Sequence, residues 1–238
     1  MKRILLVQSR AQLQRVEKER ENFTRALKGV ADLDYLSAID ERLAWTYPDE
    51  LLRNYDGVIF GGSSDFDFHG GRDERDPARL VSFIILSRVR NIISYVLSEK
   101  VPLLGVCFGH QIIAQMYGGN VTNDPKQGKF GSYKVALNEE GKKDKLFSTL
   151  PEKFYAQYAH KDSITTLPKG ATLLGSAENC QFSILRYNEK AYTLQFHPEI
   201  ERVEPASGIP ADEFHPSPEA SNITARWVER IVSDSAGS

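Results

Sequence analysis

An open, mostly parallel α/β sheet flanked by helices, with antiparallel strands added in its second half, is the fold this sequence predicts. Three observations carry that reading. The runs Ile4–Val7, Val58–Phe60 and Val101–Val106 are short and almost wholly apolar, as strands buried on both faces are. Amphipathic stretches separate them in the βαβ rhythm of a parallel sheet. From residue 131 onward, strand-like runs follow one another at short intervals instead.

The elements follow in order. Ile4–Val7 is a buried strand, and residues 11–28 carry a helical, heavily charged pattern. Val58–Phe60 is a second buried strand that ends at Gly61-Gly62. Residues 79–98 form a helix, with Leu80, Phe83, Ile84, Val89, Ile92, Ile93, Val96 and Leu97 at helical spacing. Val101–Val106 is a strand that runs straight into Cys107. Ile112, Ile113, Met116 and Tyr117 share one helical face, and Gly118-Gly119 ends that helix. Strands are expected over 131–138, 153–158, 171–176, 181–187 and 191–196. A last helix covers 221–232, and 233–238 reads as a frayed tail. No internal repeat or Pro/Gly-rich linker interrupts the chain, so residues 1–238 are expected to form a single domain.

Composition narrows the function. Hydrophobic residues make up 41% and charged residues 26%, which suits a packed core. The net charge is -2, with no basic footprint for nucleic acid or an anionic membrane. No apolar run approaches membrane-spanning length, and the one after Met1-Lys2-Arg3 is too short for a secretory signal. The two cysteines, Cys107 and Cys180, are expected as free thiols in a cytoplasmic protein. Whether Cys180 is inert or redox-active is left open by the sequence.

Gly105-Val106-Cys107-Phe108-Gly109 is the strongest local signal. It lies between a strand and a helix, as a nucleophile elbow requires. The flanking glycines permit a tight turn, and the helix N-terminus favours thiolate. The N–H of Phe108 is placed to stabilise an oxyanion. A small buried cysteine at a strand end is the bland alternative, and the strand–turn–helix context with two glycines disfavours it.

A thiol nucleophile needs a histidine, and the histidine needs an orienting partner. His197 follows the strand Ala191–Phe196 and precedes Pro198-Glu199, so Glu199 is placed to orient its ring. Catalytic side chains collect at such strand ends. His110 lies on the helix after the elbow and is expected to be structural or secondary. His160 is expected at the pocket edge, and His69 and His215 in solvated loops.

Together these segments resemble the class I, triad-type glutamine amidotransferases. Gly105-Val106-Cys107-Phe108-Gly109-His110-Gln111 is similar to the family's nucleophile motif, and Gln195-Phe196-His197-Pro198-Glu199 to its His-Pro-Glu motif. Gly61-Gly62-Ser63 matches the turn that supplies a second oxyanion N–H. His197 lies 90 residues beyond Cys107, an ordinary spacing for the family. Phe130-Gly131-Ser132-Tyr133 and His160-Lys161-Asp162-Ser163 resemble segments of the glutaminase part of the GMP synthase members. The resemblance implies a flavodoxin-like fold and a Cys107–His197–Glu199 triad. It also implies an oxyanion hole at Gly62 and Phe108, and substrate binding by Gln111 and the backbone near Ser132 and Tyr133, with His160 at the pocket. No metal or organic cofactor is implied. Two departures from the resemblance stand out: residue 238 falls where a synthase segment would be expected to begin, and the charged stretches 65–79 and 202–218 are additional. Each of these stretches reads either as a solvated loop or as a lid over the site.

Three functions fit the residues. One is a glutaminase subunit that passes ammonia to a synthetase partner, which predicts an exposed apolar patch near the pocket mouth. The second is a free-standing γ-glutamyl peptidase. The third, a non-catalytic relative, is disfavoured by the intact Cys107, His197 and Glu199.

Overall fold

The computed structural model describes residues 1–201 and 214–233. Its frame is β1 (Lys2–Gln8), α1 (Leu13–Ala26), β2 (Ala31–Ser37), α2 (Pro48–Leu52), β3 (Gly57–Phe60), α3 (Pro77–Ser98), β4 (Leu103–Val106) and α4 (Phe108–Met116). The second half adds β5 (Val121–Asn123), β6 (Lys129–Leu137), α5 (Glu139–Lys143), β7 (Lys153–His160), β8 (Asp162–Ile164), β9 (Thr172–Ala177), β10 (Cys180–Asn188) and β11 (Ala191–Leu194). Two short helices, α6 (Pro218–Ser221) and α7 (Ile223–Trp227), precede a π-helical turn at Val228–Val232.

Nine strands form one sheet in the order β2-β1-β3-β4-β11-β10-β9-β6-β7, and β5 pairs with β8 apart from it. The first five run parallel. The last four join them antiparallel. Along the parallel part the order is the flavodoxin-like one, and it reverses between β1 and β3.

β1 shows why the apolar runs become strands. Ile4 and Leu6 face a core with Phe23 of α1, Leu27 just after it, and Trp227 and Ile231 farther along the chain. Leu5 and Val7 face the other core, with Ile85, Val89 and Ile92 of α3 and Ile112 of α4. Alternate residues therefore enter opposite layers, as the period of a strand requires.

Several elements differ from the sequence expectation. β2 is an addition to it, an edge strand whose Asp32 and Asp34 break the apolar run. The last helix is not continuous; it is divided into α6, α7 and the π-turn. α3 has 22 residues and is apolar enough by length and composition to cross a membrane, which corrects the reading that no such stretch exists. Its buried face (Ile85, Val89, Ile92, Ile93, Val96) packs on the sheet as a core helix does. The stretch 65–79 is not a loosely solvated loop. Phe66 and Phe68 are buried in it, and Asp162 accepts hydrogen bonds from the His69 and Gly70 N–H groups at 2.7 and 2.6 Å. Most of the second additional stretch, 202–213, and the tail at 234–238 lie outside the described residues.

Candidate functional site

The elbow is built as its glycines suggest. Cys107 has φ 51° and ψ -101°, a backbone that side-chain-bearing residues rarely adopt. The surroundings hold it there. Its N–H donates to the Leu194 carbonyl at 2.8 Å, and its carbonyl accepts from the Gln111 N–H at 3.1 Å. The Gly109 N–H reaches across to the Gly61 carbonyl at 3.0 Å. A Cβ on Gly109 would lie 2.2 Å from the Phe60 carbonyl oxygen, so only glycine lets α4 approach β3 this closely. Phe108 opens α4, and its N–H therefore has no intrahelical acceptor.

His197 leaves the next strand of the sheet, β11, which pairs in parallel with β4. Its backbone N–H donates to the Gln157 carbonyl of β7 at 2.8 Å. Its ring Nδ1 lies 2.7 Å from Glu199 Oε1. A carboxylate only accepts, so Nδ1 carries the proton and Nε2 is left for the reacting centre. Burial opposes charge on this ring, but the Glu199 carboxylate and the Cys107 sulfur outweigh it, and its pKa lies well above the ordinary value. All three residues are buried.

His110 is not part of this group. Its ring is held between Thr193 Oγ1 at 2.7 Å and the Phe182 carbonyl at 3.0 Å, and burial lowers its pKa to about 3. It is a neutral structural strut, as its helical position suggested. His215 is exposed and stacks on Tyr155, while His69 is half-buried. Cys180 is a free, buried thiol whose pKa burial raises to about 11. That makes it a poor nucleophile.

Two clefts meet here. One is lined by Cys107, Gln111, His160 and Asp162 with Phe66 and Phe130. The His160 Nδ1–H donates to the Asp162 carbonyl at 2.9 Å. Its buried Nε2 has no partner among the described residues, and burial lowers the ring pKa to about 4. His160 therefore offers a bare acceptor. Ser132 and Tyr133, expected at the substrate, line neither cleft. Ser132 donates to Gln157 Oε1 at 2.6 Å and is covered by His215, whose N–H donates to it at 2.8 Å. Tyr133 packs edge-on against Tyr158.

The second cleft is lined by His197 and Glu199 with Arg10, Arg15, Lys18 and Glu19. Arg10 and Glu19 were absent from the sequence reading. The signal was present: Arg10 follows the buried strand β1 at the same carboxyl edge as Cys107. Glu19 is buried and accepts from Gln8 Nε2 at 2.9 Å, while Arg10 Nε lies 3.0 Å from it. It also accepts from the Gly62 N–H at 3.0 Å. The expected second oxyanion donor is thus committed to Glu19 in this conformation. Burial raises the Glu19 pKa, against the pull of Arg10 and Gln8.

Residues 44–216 match the glutamine amidotransferase class-I family. The chain belongs to that family. A relative from Sulfurisphaera tokodaii, named as one subunit of a glutamine-hydrolyzing GMP synthase, is 31% identical over 176 residues, which cover 74% of this chain and 84% of that one. A glutamine-hydrolyzing GMP synthase from Borreliella burgdorferi is 45% identical over 101 residues, but the match covers 42% of this chain and only 19% of that protein. Among solved structures, a putative GMP synthase subunit from Thermoplasma acidophilum aligns with TM-score 0.70 at 21% identity, covering 99% of this chain and 96% of that one. A Thermotoga maritima glutamine amidotransferase aligns with TM-score 0.65 at 20% identity, covering 98% and 97%. At such identities the structures establish the shared α/β fold.

Proposed function

We propose that this family member is a cysteine hydrolase of γ-glutamyl amides, with Cys107, His197 and Glu199 as its triad. The observation that carries the reading is the strained Cys107 beside the buried His197–Glu199 pair. The Cys107 thiolate attacks the γ-carbonyl, and His197 protonates the leaving nitrogen as the carbon–nitrogen bond breaks. Water then attacks the γ-glutamyl thioester, giving its proton to His197, and glutamate leaves as the thiol reforms. The Phe108 N–H stabilises the oxyanion. The Gly62 N–H joins it by turning away from Glu19. The glutamyl end occupies the cleft of Gln111 and His160, where His160 Nε2 accepts from the α-ammonium group. Two free thiols suit a cytoplasmic setting.

One observation favours a synthetase partner. The α3 residues Leu80, Phe83 and Ile84 are exposed, and Phe83 packs edge-on against Phe68, which stacks on Phe108 beside the nucleophile. An exposed apolar patch of this kind is what a partnered glutaminase is expected to present, and it supports that reading.

The test is glutamate release from glutamine and from γ-glutamyl dipeptides, with wild type beside Cys107→Ser. Release that vanishes in the variant supports the hydrolase. Release that survives it removes Cys107 as nucleophile.

A further inference from the structure

We infer that the cleft on the His197 side receives the leaving group and that Arg10 grips a carboxylate on it, so that γ-glutamyl amino acids are preferred over uncharged γ-glutamyl amides. This rests on the hydrolase reading above and deepens it to a substrate class.

The cleft lies where a leaving group must go. The two clefts share Ser63, Ser64 and Ala159, but Cys107 lines one and His197 the other. The nitrogen that departs from the tetrahedral intermediate leaves toward the group that protonates it, which is His197. Whatever that nitrogen carries must enter the second cleft. Ammonia would need no such room. This cleft also lies outside the carboxyl ends of β1 and β3, where the strand order reverses, and open α/β sheets place ligands there.

Its charges suit an acidic leaving group. Arg10, Arg15 and Lys18 line the cleft, against Glu19 and Glu199. Both carboxylates are engaged. Glu199 holds His197, and Glu19 is bound by Gln8, Gly62 and Arg10. Arg15 is paired with Asp65, and Lys18 with Glu21. Arg10 is paired with Glu19 through Nε alone. Its Nη1 donates to Ser64 Oγ at 3.1 Å, while its Nη2 makes no hydrogen bond among the described residues. That Nη2 lies 3.3 Å from the point a Cβ on Gly62 would occupy, a point 2.9 Å from His197 Cε1 and 3.5 Å from Cys107 Cβ. An open guanidinium donor and the nucleophile therefore flank the same small space. In an amino acid leaving group, the carboxylate carbon lies about 2.5 Å from the departing nitrogen. A carboxylate one carbon from the scissile nitrogen falls within reach of Arg10, and a charge-assisted bond to it is strong.

The reaction is the hydrolysis already described. The γ-glutamyl–nitrogen bond breaks, the nitrogen takes the His197 proton, the amino acid leaves, and water completes glutamate.

The experiment compares kcat/KM for γ-glutamylglycine and γ-glutamylglycinamide, which differ in the carboxylate alone. Wild type is expected to prefer the acid by about ten- to a hundred-fold. Arg10→Gln is expected to bring the ratio close to one, and Arg10→Lys to keep part of it. A ratio cancels any loss of folded enzyme, and the wild-type ratio needs no variant. A wild-type ratio near one, with both substrates cleaved, overturns this inference and leaves the hydrolase standing. So does an Arg10→Gln enzyme that loses activity equally on both substrates, because Arg10 then serves the oxyanion. If wild type cleaves neither substrate nor glutamine, the hydrolase reading itself fails, and this one with it.

Discussion

The parallel part of the sheet, β2-β1-β3-β4-β11, and its antiparallel extension, β10-β9-β6-β7, meet at the site with different contributions. Cys107 leaves β4, His197 and Glu199 follow β11, Gly62 follows β3, and Arg10 follows β1, all at carboxyl ends of parallel strands. The extension adds walls. Phe130 of β6 and Ala159 and His160 of β7 line the cleft that holds Cys107, and the Gln157 carbonyl holds the His197 backbone. The proposed triad thus sits at the edge that the parallel strands form, and the added strands wall the cleft beside it. The same contrast separates the two buried histidines. His110 is neutralised by burial between Thr193 and Phe182, while His197, equally buried, is kept charged by Glu199.

Substitutions on the two sides should separate accordingly. The largest effect is expected from Cys107→Ala, with hydrolysis down about 10⁴-fold or more and thermal unfolding little changed. Glu199→Gln should lower kcat about 10²- to 10⁴-fold with little effect on KM, because it disturbs the tautomer of His197 rather than substrate contact. Gly62→Ala places a Cβ 2.9 Å from His197 Cε1 and displaces the turn. Steady-state kinetics should show a loss of about 10²-fold. An intact rate in that variant breaks the assignment of the turn to the oxyanion hole.

Two smaller effects sharpen the contrast. His110 and His160 are neutral in the fold and titrate at about 3 and about 4, against 6.5 when exposed. The unfolded chain therefore binds more protons below pH 6.5, and stability falls as pH falls. Urea unfolding between pH 6 and pH 4 should lose about 1 kcal/mol per pH unit for each of these histidines. Replacing His110 with Gln should remove one share of that slope. The smallest effect is expected from Ser132→Ala on the extension, with kcat/KM within about threefold of wild type, since its hydroxyl meets Gln157 and His215 rather than a cleft.

What the sequence revealed follows the same division. The parallel strands were legible because burial on both faces makes them unbroken apolar runs, and Gly105 and Gly109 marked the turn at Cys107. β2 was not, since an edge strand tolerates Asp32 and Asp34. The division of the last helix into α6, α7 and a π-turn leaves the helical periodicity of 221–232 almost unchanged, so no residue announced it. The contact between the Ser132 hydroxyl and His215 was not legible, because the two lie 83 residues apart in sequence. Arg10 was missed because a single arginine after a strand is ordinary until the fold brings Gly62, His197 and Cys107 around it.

If Cys107 carries the glutamyl group, the intermediate can be caught. The direct measurement is intact-protein mass spectrometry of enzyme quenched in acid during turnover of γ-glutamylglycine. A glutamyl adduct is expected that maps to the peptide bearing Cys107 and is absent from Cys107→Ala. Steady glutamate release from an enzyme whose Cys107 never carries the adduct, or an equal adduct on the variant, would contradict it.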